Sequence, residues 1–157
     1  MTRPAMQRTR WGDLAVPFVI IAITTYVLLR TSYDSLPPLH YVLAVPLAAL
    51  AAVEFVIARR VRAAVGHDPD AKPMAAIAIA RCVALGKASS LVGAGVAGAA
   101  VGLLVFLLPD AGDLDAAARD VQVAAVVLSV AILMVAAGLL LERAGIDPNN
   151  DRQAPNR

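Results

Sequence analysis

Four apolar runs, Leu14 to Leu29, Tyr41 to Ala58, Ala88 to Leu108 and Val121 to Leu141, alternate with short polar segments along the chain. The last two each continue for 21 residues without a charged side chain, close to the roughly 20 residues that an α-helix needs to cross a hydrocarbon core. The first is the shortest, and the second carries one acid, Glu54. The pattern predicts an all-α fold, a four-helix transmembrane bundle with helices over about 13–31, 39–62, 74–108 and 117–144. These make one domain over 1–145, followed by a polar tail over 146–157 that is poor in large apolar residues and is expected to be disordered.

The breaks agree with that division. Leu36-Pro37-Pro38-Leu39 breaks the chain between the first two helices, Gly66-His67-Asp68-Pro69-Asp70 reads as a turn, and the segment from Pro109 to Asp115 separates the last two spans. Pro46 falls one and a half turns inside the expected second helix, which predicts a bend away from the carbonyl of Val42. The third helix is too long for a bilayer. Helix-compatible sequence runs from Met74 to Leu108, about 35 residues and near 50 Å against a core of about 30 Å. The expectation is a basic stem, Met74 to Gly86, extending into the cytoplasm, with a break at Gly86 as the open point.

Composition adds the solvent: 59% hydrophobic and 17% charged residues leave too little polar surface for a water-soluble globule. Net charge is only +2, but division by side gives an orientation. Of the 14 basic residues, Arg30 and Arg119 alone fall in the loops of one side, so the positive-inside bias places both termini in the cytoplasm of a multi-pass cell-membrane protein. The opposite loops carry Asp34, Asp110, Asp113, Asp115 and Asp120, which describe an acidic outer surface. The basic start has the general form of a signal peptide, but Leu29-Arg30-Thr31-Ser32-Tyr33 offers no small-x-small cleavage pattern, so the first span is expected to be retained. The single cysteine, Cys82, reads as a small packed side chain.

Candidate chemistry is sparse. Gly86, Ser90, Ala94, Gly98 and Gly102 recur every four residues and predict a close-packing face on the third helix. That face is expected to pack inside the chain or to dock a membrane-protein partner or a second copy. Ionisable residues within a span usually face the bundle and find partners, so Glu54 is expected to pair with Lys87 at the base of the third helix. Arg81, Ser89 and Ser90 are candidate interfacial or partner contacts, with anionic lipid head groups on the cytoplasmic side. Gly86-Lys87-Ala88-Ser89 is no phosphate loop: Arg81 stands where the first glycine belongs, and Ala88 replaces the hydroxyl residue. His40 and His67 are expected on opposite sides of the membrane and cannot share a metal. Catalytic residues, cofactors, metals and nucleic acid are therefore not expected.

Several segments carry a resemblance. Arg8-Thr9-Arg10-Trp11-Gly12-Asp13-Leu14, Tyr33-Asp34-Ser35-Leu36-Pro37-Pro38, Lys72-Pro73 and the run from Ala80 to Ser90 are similar to the actinobacterial DUF3180 family. So are Leu107-Leu108-Pro109, Ala117-Ala118-Arg119-Asp120 and Leu141-Glu142-Arg143-Ala144. The resemblance implies a small four-helix membrane protein, typically encoded near folate-biosynthesis genes, and brings no activity or catalytic residue with it. Two functions are carried forward. One is a noncatalytic accessory or scaffold subunit of a cell-envelope membrane complex. The alternative is a small transporter or exporter subunit acting as an oligomer on a pterin-like or lipid-linked substrate, with Glu54 and Lys87 lining its path.

Overall fold

A computed structural model describes residues 9–32, 39–66, 74–110 and 115–145. Four helices carry nearly all of them: α1 (Trp11–Ser32), α2 (Ala44–Val65), α3 (Ala76–Leu107) and α4 (Asp115–Ala144). All four are long and apolar enough to cross a membrane, and the chain is a multi-pass membrane protein. The expected 146–157 tail, the Pro37-Pro38 turn and the His67 to Asp70 turn lie outside the described residues.

Local chemistry sets the ends. At the start of α1 the Arg10 backbone N–H donates to Asp13 Oδ2 at 3.0 Å, the reach-back of an acid three positions into a helix. A single 3₁₀ turn, Tyr41–Leu43, precedes α2, and the Ala44 N–H closes onto the carbonyls of Tyr41 and Val42. Pro46 therefore lies in the first turn of the α-helix proper, not one and a half turns inside it. There its missing N–H has no α-helical partner to lose, which removes the reason for the expected bend. Gly86 does not interrupt α3, which runs as one helix of 32 residues.

The helices pack in the order α1, α3, α4, α2. Among the described residues α1 meets neither α2 nor α4, so the bundle is an open layer with α3 and α4 at its centre. Burial follows: thirteen residues of α3 are buried, but only Leu14 and Leu29 of α1. Apolar clusters mark the two ends. Leu29, Leu103, Leu107, Ala117 and Ala124 close one, and Ala58, Val61, Leu141 and Ala144 close the other. Met74, Ile79 and Cys82 pack onto this second cluster. The stem of α3 thus leans on the ends of α2 and α4 and does not stand free, because its apolar side chains have a surface to bury against.

The four-residue repeat of small side chains on α3 does not form one face. A step of four residues turns an α-helix by about 400°, so the repeat drifts about 40° per step and about 160° from first to last. Its start and end accordingly face different neighbours. A Cβ on Gly86 would stand 2.6 Å from the Gly138 carbonyl oxygen, and one on Gly138 would stand 2.6 Å from the carbonyl of Gly86. Ser90 lies against Gly138 as well. On the opposite side, a Cβ on Gly98 would overlap the Phe18 carbonyl, and one on Gly102 would stand 2.5 Å from that of Ala22. Ala94 is buried between these two contacts. The early glycines seat α4 and the late ones seat α1, so of the two alternatives for these small residues the described contacts are those within the chain.

Candidate functional site

The α-helical register places Ala51, Glu54, Ala58 and Val61 on the buried side of α2. Ala51 packs with Met134 and Ala137, while Ala58 and Val61 pack with Leu141 and Ala144. Glu54 lies one turn from each group and so faces the part of α4 between them. It is fully buried, 0% exposed. From α3 the buried Ser89 presents its hydroxyl to the carboxyl, yet neither Glu54 oxygen receives a hydrogen bond among the described residues.

Lys87 is not the partner. Its side chain is exposed, and no hydrogen bond or ion pair joins it to Glu54. The reason is angular: Ser89 marks the side of α3 that faces Glu54, and a residue two positions earlier lies about 200° around the helix axis. The two share a depth along the membrane, but helical phase separates them. Arg81 is likewise exposed. Ser90 is fully buried, and its hydroxyl donates to the Lys87 carbonyl at 2.9 Å, the local back-bonding common to serine in helices. It cannot contact a partner from there.

Two buried acids escaped the sequence reading. Glu142, near the end of α4, is 3% exposed. Its Oε1 accepts from the Thr9 backbone N–H at 2.7 Å and its Oε2 from the Thr9 hydroxyl at 2.5 Å. Both carboxylate oxygens thus strap the approach to α1 onto the end of α4, and the two ends of the described chain share one end of the layer. Glu142 continues the buried spacing of Met134, Gly138 and Leu141, a register that could have revealed it. Asp120, expected on the outer surface, is 6% exposed. It lies between Ala117 and Ala124 on the side of α4 that joins the apolar cluster with Leu29, Leu103 and Leu107.

The end that holds Thr9, Glu142 and the neighbourhood of Glu54 is also the basic end. Arg10, Arg59, Arg60, Arg62, Arg81, Lys87 and Arg143 belong to it by chain position, against Arg30 and Arg119 at the other. Arg59 lies over the Phe55 ring, 5.3 Å from its centroid.

A family model described as a protein of unknown function (DUF3180) matches residues 14–148. Glu54, Lys87, Ser89, Ser90 and Glu142 fall inside that match, whereas Thr9 precedes it. No curated protein and no solved structure matches the chain.

Proposed function

Because the chain belongs to the DUF3180 family, whose model carries no activity, we propose a role from geometry: a noncatalytic accessory or scaffold subunit of a cell-envelope membrane complex. The observation that carries this reading is the open layer. The outer helices α1 and α2 do not meet, and α1 exposes Val16, Val19, Ile20, Ile23, Val27 and Leu28 along its length. Such a layer offers two broad apolar sides to lipid and to other membrane helices. Its docking surface is one of these sides, since the small residues of α3 are taken. The transporter reading needs a polar path beside Glu54, and the complete burial of that residue speaks against one.

Purification from native membranes in mild detergent, after brief crosslinking, is expected to retrieve a stoichiometric membrane partner. Recovery of a lone monomer across several gentle detergents would overturn the reading. The proposed orientation puts the arginine-rich end in the cytoplasm of the cell membrane. In a Cys82→Ala background, Arg119→Cys should react with an impermeant thiol reagent in intact cells, and Arg60→Cys only after permeabilisation. The reverse pattern would invert the topology.

A further inference from the structure

Along the α2–α4 seam, at the arginine-rich end, lies a crevice of about 270 Å³ lined by Phe55, Ala58, Arg59, Arg62, Leu140 and Ala144. Its lining joins apolar side chains to two basic ones. Phe55, Ala58, Leu140 and Ala144 supply apolar lining and Arg59 and Arg62 supply two guanidinium groups, with no carboxylate among the described lining residues. Phe55, Arg59 and Arg62 are spaced four and three residues apart, which sets them on one side of α2. Arg59 lies over the Phe55 ring, 5.3 Å from its centroid, and a guanidinium in a cation–π contact keeps N–H donors for an acceptor. The neighbouring acid of α2, Glu54, is turned inward and fully buried, so it does not neutralise the pair.

We propose that this crevice binds an anionic phospholipid, with its phosphate held between Arg59 and Arg62 and the start of an acyl chain lying on Phe55, Ala58 and Leu140. A phosphate at the head-group level satisfies both guanidinium forks, and the apolar lining removes methylene groups from the mobile lipid shell. Basic pockets between membrane helices recognise lipid head groups in this way. The proposal concerns a lipid site within the chain and does not depend on any protein partner.

The test is native mass spectrometry of the full chain released from detergent supplemented with phosphatidylglycerol or phosphatidylcholine, alongside thermal melts in the same mixtures. Phosphatidylglycerol should remain bound and raise Tm, and phosphatidylcholine should do neither. The Arg59→Gln/Arg62→Gln variant should bind phosphatidylglycerol about thirtyfold more weakly, from the attraction typical of two basic residues near an anionic lipid. Arg60→Gln, whose exposed side chain is not part of the crevice lining, should bind as the parent does. Because Arg59 and Arg62 are exposed, the double variant is expected to melt as the parent does in lipid-free detergent, which separates lost binding from lost folding. Equal retention of both lipids, undiminished retention by the double variant, or an equal rise in Tm with inorganic phosphate alone would overturn the proposal.

Discussion

Alanine at Gly86 or at Gly138 is expected to destabilise the protein by about 3 kcal/mol, the upper part of the usual range for overpacking. In Tm this amounts to a fall of about 10 °C for a chain of this size. Two terms compete. Replacing a helical glycine with alanine gains up to about 1 kcal/mol in propensity, but here the added Cβ meets backbone, which cannot rotate away. Each Cβ would come within 2.6 Å of the other helix's carbonyl and within 2.9 Å of a backbone nitrogen, Glu142 for Gly86 and Ser90 for Gly138. The strain term is the larger. The two sites face each other, so the helices need separate only once: the double variant should lose less than the sum of the singles, by roughly 1 kcal/mol or more. Gly12→Ala is the control, since nothing lies within 4 Å of its Cβ position. Singles that melt with the parent, or losses that add fully, would show that α3 and α4 do not cross at these glycines.

Much of the architecture was legible because a bilayer asks few questions of a helix. Length and the absence of charge located four spans, and the structure places helices at all of them. What the pattern could not supply was the packing order. α2 follows α1 in the chain but does not meet it among the described residues, and no periodicity distinguishes a lipid neighbour from a protein neighbour when both are apolar. The glycine repeat of α3 shows the cost of reading spacing without phase. Gly86, Gly98 and Gly102 each lie close to backbone of a neighbouring helix, but a repeat of four in a helix of 3.6 residues per turn serves two neighbours in succession.

Polar residues were harder to read for the same reason. Distance from the membrane surface is a one-dimensional quantity, and it drew Glu54 towards Lys87. Helical phase gives Ser89 that position instead. Glu142 and Asp120 sit close to span ends, where an acid ordinarily faces water, and their burial rests on neighbours the sequence does not name. Thr9 is the extreme case. It stands before the first helix, and its contact with Glu142 spans 133 positions of the chain.

Glu54 supplies the other large effect, and its sign separates a lone buried carboxyl from an ion pair. A buried polar group with no hydrogen bond costs about 1–3 kcal/mol on mutational scales, and more when it is charged. Substitution by an apolar side chain of similar length removes that cost and keeps the contacts with α4. Glu54→Met is therefore expected to stabilise the protein by about 2 kcal/mol, visible as a rise of several degrees in Tm. Glu54→Gln keeps a polar amide beside Ser89 and should change Tm little. Lys87→Met should also be close to silent, because the lysine is exposed, and its combination with Glu54→Met should show no coupling. An ion pair behaves oppositely: removing one partner of a buried pair typically costs 3–5 kcal/mol, so both single variants would melt early and the double variant would recover part of the loss. That outcome would restore the pair and reject the packing described for α2. Stabilisation by methionine would mean that the carboxyl persists at a cost to stability, the circumstance in which an ionisable residue within a membrane span marks a functional position.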